Sequence, residues 1–156
     1  MVNIHAGYRT FGVLAFATLT VVSANDAAAI FVAREAWLRP AAHAGSTEAY
    51  VEITSTEGAT LVGARSTAAA SIEIHAPGAS RAAIREIALP PGKTLLLAPN
   101  AYRFVLRGLN RPLQLGDRVP LILIVKADDG SQREIALEAE VRMHSATDDH
   151  LHPHKH

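Results

Sequence analysis

The alternation of apolar and polar residues with a period of two, broken at short intervals by turn residues, most narrows what this sequence can fold into. Ser71-Ile72-Glu73-Ile74 and Ile135-Ala136-Leu137-Glu138-Ala139-Glu140-Val141 put apolar and polar groups on opposite faces of an extended chain. After residue 30 no stretch sustains a helical apolar period for three turns. Ala64–Ala70 offers one helical turn at most, weakened by Ser66 and Thr67. Nine short strands are predicted: Ile30–Leu38, Ala49–Thr54, Thr60–Ser66, Ser71–His75, Ala83–Ala88, Thr94–Leu97, Tyr102–Leu106, Val119–Lys126 and Arg133–Arg142. Pro77-Gly78, Pro90-Pro91-Gly92, Asn110–Asp117 and Asp128-Asp129-Gly130 punctuate them. Such spacing implies an antiparallel β-sandwich or barrel. Pro120, early in its strand, predicts an edge or a strand start there.

The two ends of the chain differ from this body. Met1–Arg9 carries a positive charge at Arg9, Phe11–Ala24 is an uncharged apolar run, and Ala27–Ala29 are small. That order describes a secretory signal peptide over residues 1–29, cleaved near Ala29 or, less simply, after Ala24. The apolar run is shorter than the roughly 20 residues a bilayer span needs. No later segment is apolar enough to cross a membrane, so the mature protein is expected to be periplasmic, soluble and monomeric. Residues 30–142 form the predicted domain. Met143–His156 (MHSATDDHLHPHKH) has one sizeable apolar residue after Met143, Leu151, and reads as a flexible histidine-rich tail.

Composition removes several classes of function. The sequence has no cysteine, which excludes disulfides, zinc–thiolate sites and thiol catalysis. Fifteen basic residues balance fifteen acidic ones, which argues against nucleic acid as a partner. Glu52, Glu73, Glu86, Glu134, Glu138 and Glu140 fall mostly at positions expected to face water. With no phosphate loop and no nucleophile elbow either, no enzyme is expected.

The residues resemble a known family, the periplasmic copper chaperones called PCu(A)C. The likeness begins at Glu35-Ala36-Trp37-Leu38-Arg39-Pro40 and runs through Ala49-Tyr50-Val51, Leu61–Ala64 and Ile72-Glu73-Ile74-His75. It resumes at Ala88-Leu89-Pro90-Pro91-Gly92 and Tyr102–Leu109, and closes with Pro112-Leu113, Gly116-Asp117 and Val119-Pro120-Leu121. The resemblance implies a cupredoxin-like antiparallel β-sandwich with Greek-key connections. It also implies copper as cargo, as Cu(I), and cytochrome oxidase assembly factors or other copper-handling proteins as partners. The histidine-rich tail adds Cu(II) as a second form of the metal. The family's metal site uses a His at a strand end, Met residues on the next hairpin, and a His-x-Met on a later strand. Thioether and imidazole ligands suit soft Cu(I).

This sequence departs from that pattern. His75 matches the first His. The following hairpin, Ala76–Ile87, has no Met, and the His-x-Met falls on Arg103-Phe104-Val105. The next family Met corresponds to Arg107. Alternation puts Tyr102, Phe104 and Leu106 toward the core, and Arg103, Val105 and Arg107 where the metal would sit. A like charge about 4 Å from a cation costs roughly 4 kcal/mol at an effective dielectric near 20. The core copper site is therefore expected to be lost, with His75 a hydrogen-bonded surface residue more than a ligand.

The remaining metal chemistry lies in the tail. His144, His150, His152, His154 and His156 make five of the eight histidines. Neutral imidazoles at i, i+2 spacing on a flexible segment can gather around one ion. Asp148 and Asp149 can add oxygen for harder divalent metals, and among divalent ions Cu(II) binds most tightly. An alternative reading is a non-enzymatic interaction module that has lost the copper site. In that case Arg81, Arg85, Arg103 and Arg107 form a basic patch for an acidic partner or anion; otherwise they are solvated strand faces.

Overall fold

A computed structural model describes residues 29–78 and 82–146. The predicted signal peptide, Arg81, and the tail from Thr147 onward lie outside the described residues, apart from Ala29. Ten strands account for the fold: β1 (Phe31–Leu38), β2 (Ser46–Ser55), β3 (Ala59–Arg65), β4 (Ala69–His75), β5 (Ala83–Ile84), β6 (Ile87–Leu89), β7 (Thr94–Leu97), β8 (Arg103–Leu109), β9 (Arg118–Ala127) and β10 (Gln132–Val141). The hydrogen-bonded path runs β5-β4-β8-β2-β1-β10-β9-β3-β6, with β7 added to β2. β3 and β4 lie far apart on that path yet are joined by a short turn, so the sheet curls back and closes over a common core. Ser66 Oγ fixes this turn, accepting from Ala68 N at 3.2 Å and donating to Pro120 O at 2.5 Å. The single helical turn considered for Ala64–Ala70 is therefore a strand, a turn and a strand.

β9 shows most plainly why the pattern folds this way. Val119, Leu121, Leu123 and Val125 are fully buried, and the residues between them are not. They meet Leu38, Ile53, Leu61, Phe104 and Leu106 in one core. Pro120 pairs with Glu138 on one side, whereas the ladder to β3 ends at Ile122. β9 is thus an inner strand whose edge is free at the proline, where no amide proton is required.

The all-β, cupredoxin-like architecture is the one expected, with two corrections of detail. Ala83–Ala88 is not one strand. A bend at Arg85-Glu86 sends β5 to β4 and β6 to β3, at opposite ends of the sheet path. The ladder is also not wholly antiparallel, because β1 pairs parallel with β10 through Trp37 and Leu38. A parallel pair needs a long crossover, and here the rest of the domain supplies it.

β8 must reach across to β4 without a side chain at Gly108. Its φ is +63°, and a Cβ there would lie 2.9 Å from Ala70 Cβ. Gly108→Ala is expected to cost about 2–4 kcal/mol from strain and overpacking together. Gly45→Ala, with open space around it, is the control in urea denaturation.

Candidate functional site: a charged groove

β4, β8 and β2 lie side by side, and their register decides what shares one face. His75 is opposite Arg103, Glu73 opposite Val105 and Ser71 opposite Arg107 across β4 and β8. On the other side Val105 faces Glu48, and Arg107 faces Ser46. Directly opposed residues point the same way. The alternate face sends Ile72, Ile74, Phe104 and Leu106 into the core. Arg39 and Pro40, just beyond β1, complete a groove of about 460 Å³ with Ser46, Thr47, Glu48, His75, Arg103, Val105 and Arg107. A neighbouring hollow of about 560 Å³ shares Arg39, Glu48 and Arg103 and is closed by Gly78, Pro99 and Asn100.

Arg103 is buried, its side chain only 5% exposed. The sequence reading left it at a possible metal position or on a solvated face; a guanidinium this deep instead requires a counter-charge. Glu48 supplies it: Oε1 lies 3.0 Å from Arg103 Nε. That contact is out of line for a hydrogen bond, so Nε makes none, and the pair is held by charge. Arg103 Nη1 donates to Ala76 O over a long 3.4 Å. Glu48 Oε2 in turn accepts from Tyr50 Oη at 2.5 Å, and Tyr50 Oη accepts from Arg39 Nε at 3.0 Å. Burial, reinforced by the bond to Glu48, pushes the Tyr50 phenol up to about 12. Tyr50 is therefore expected to release its proton about two pH units above an ordinary tyrosine, as an ultraviolet phenolate titration will show. Between pH 10 and 12 the unfolded chain has lost that proton while the native chain keeps it. Stability accordingly falls as pH rises through this window.

Glu73 organises the other half of the groove. Its Oε2 lies 2.9 Å from His75 Nε2 and 2.9 Å from Arg107 Nε. The hydrogen bonds from His75 and then Arg107 hold its carboxyl below the usual range. An ionised carboxylate only accepts, so in neutral His75 the proton sits on Nε2. Among the described residues His75 Nδ1 is buried without a partner. His75 is thus a buried residue, 8% exposed, not the surface histidine expected. Glu73, one of the acids expected to face water, is engaged by both neighbours.

This arrangement does not fit a cation. Three guanidiniums (Arg39, Arg103, Arg107) face two carboxylates. The one histidine has its outer nitrogen tied to Glu73 and its other nitrogen sealed. Among the described residues no three His, Asp or Glu side chains converge to hold a metal. The structure does bring His75, Arg103, Val105 and Arg107 together at one groove, as alternation suggested. It places Arg85 apart from them, exposed in the bend between β5 and β6. Arg39, Glu48 and Tyr50 were missed. The available signal was Glu48-x-Tyr50 on one strand face, which alternation makes neighbours, together with the need of any buried arginine for an acid.

A family model described as "Putative lipoprotein LpqE-like" matches residues 31–144. The chain belongs to that family. It is 33% identical over 111 residues to Putative lipoprotein Lxx21020 of Leifsonia xyli subsp. xyli, covering 66% of this chain and 65% of that protein. The chain thus spans just under two thirds of the length of this relative. Solved structures with the same fold carry the PCuAC name, as the sequence resemblance anticipated. The apo PCuAC domain from PmoF1 superposes with a TM-score of 0.62 at 21% identity, over 72% of this chain and 92% of that one. The copper-bound PCuAC domain from PmoF2 gives 0.59 at 20% identity, over 72% and 92%. DR1885 of Deinococcus radiodurans, solved with Cu(I), gives 0.54 at 28% identity, over 72% and 76%. One departure from the family's name follows from composition. With no cysteine, these 156 residues have no thiol to carry a thioether-linked lipid.

Proposed function

We propose that the protein is an exported, non-enzymatic copper carrier of the PCu(A)C type, in which the C-terminal histidines and not the sandwich hold the metal. The observation that carries this reading is the occupation of the groove. Arg103 and Val105 stand where the family resemblance puts a His-x-Met, Arg103 is neutralised by Glu48, and His75 is bound to Glu73. Copper in the PmoF2 domain and in DR1885 supports copper as the cargo. The five histidines from His144 to His156 are then the ligands left to carry it. Export through residues 1–29 places the carrier in the periplasm, where oxidase assembly or other copper-handling proteins are the natural recipients.

The basic-patch alternative is weaker. Of its four arginines, Arg103 is consumed internally by Glu48, Arg85 lies elsewhere, and in the groove only Arg107, paired through Nε to Glu73, still faces solvent. Titrating the mature protein with Cu(II), and with Cu(I) under reducing conditions, tests the carrier reading. It expects uptake of about one Cu(II) per chain, the tightest of the divalent ions. No uptake in either redox state rules it out.

A further inference from the structure

The groove that excludes a cation retains the means to hold an anion. Arg39 and Arg107 are about half exposed. Each uses Nε internally, toward Tyr50 and Glu73 respectively. Their terminal nitrogens make no hydrogen bond among the described residues. With three guanidiniums against two carboxylates, the groove keeps an excess positive charge facing solvent.

The described chain leads toward this groove. Ser145 lines a small cavity with Glu35, Trp37, Leu96 and Pro99. Pro99 also lines the hollow that holds Arg39, Glu48 and Arg103. A second connection runs along the sheet face. The Trp37 and Tyr50 rings pack at a tilt of 39° with centroids 4.4 Å apart, and Tyr50 Oη reaches Glu48. Asp148 and Asp149 follow Ser145 by three and four residues, a reach of about 10–14 Å when extended. They are the only acidic residues after Glu140. The titratable side chains beyond them are His and Lys, which offer the groove no negative charge.

We propose that the groove seats the chain's own C-terminal segment, with the carboxylates of Asp148 and Asp149 paired to the outward nitrogens of Arg39 and Arg107. The groove thereby becomes a latch that holds the start of the histidine run against the sandwich. The latch needs no metal, so its test is independent of copper uptake.

The absence of cysteine allows one nitroxide label to be placed cleanly at Leu151→Cys in the mature chain. In metal-free protein with chelator and low salt, the label is expected to broaden the backbone amide signals of Ser46, Glu48 and Arg107. Asp148→Asn with Asp149→Asn is expected to reduce that broadening about threefold, the effect of one or two partly exposed ion pairs. Arg107→Gln and added salt should act in the same direction. The same broadening with and without the two aspartates would show a tail that is merely nearby, and would overturn the latch. So would a wild-type tail that leaves these signals sharp while an added aspartate-rich peptide shifts them, since the groove would then serve a separate acidic partner.

Discussion

Deleting His144–His156 is expected to lower Cu(II) affinity of the mature protein by about two decades or more, roughly 3 kcal/mol. His75→Ala should leave it nearly unchanged. The asymmetry follows from where nitrogen lone pairs are available. His75 has Nε2 committed to Glu73 and Nδ1 buried, and any ion placed beside it meets Arg103 and Arg107. The tail offers imidazoles at two-residue spacing with no fixed cation among them except Lys155. Because only neutral imidazole binds, tail-held metal should be lost as pH falls through about 6.5. Equilibrium dialysis of full-length, truncated and His75→Ala proteins across that range decides the matter. Copper retained in full by the truncated protein would return the site to the sandwich.

Much of the fold was legible because a β-sandwich writes its inside and outside into alternate residues. Val119, Leu121, Leu123 and Val125 declare the core face of β9 without help from any partner strand. What alternation cannot state is which strands become neighbours. The split of Ala83–Ala88 into β5 and β6 depends on a bend at Arg85-Glu86 that serves two different strands. The parallel pairing of Trp37 and Leu38 with Glu140 and Val141 joins the two ends of the domain.

The groove shows the same division. Arg103, Val105 and Arg107 shared a predicted face, and they share it in the structure. The counter-charge of Arg103, Glu48, comes from β2, far earlier in the chain, and that of Arg107, Glu73, comes from β4. Glu48 looked like any polar residue on a half-exposed strand until β8 was laid beside it. His75 was misjudged for a related reason. A histidine at a strand end is ordinarily wet, but here Arg103 stands opposite it on β8 and Glu73 takes its ring nitrogen.

Replacing Glu48 with Ala is expected to cost about 3–5 kcal/mol, because it strands a buried guanidinium whose other contacts are long or poorly aligned. Glu48→Gln, which can still accept from Tyr50, separates the loss of charge from the loss of that hydrogen bond and should cost less. Arg103→Met removes the demand at its source. Glu48 is 29% exposed, so it can turn to solvent and Tyr50 once the arginine is gone. The double variant Glu48→Ala/Arg103→Met should therefore be more stable than Glu48→Ala alone, the reverse of additive damage. Urea denaturation of the four proteins gives the cycle directly. A cost below about 1 kcal/mol for Glu48→Ala would mean that water solvates Arg103 well enough to replace its counter-charge, and the ion pair would not be what holds the groove. If the cycle shows strong coupling, Arg103 and Glu48 act as structural partners at the centre of the groove. Building a metal site there would then require removing an ion pair on which the sandwich depends, as well as adding ligands.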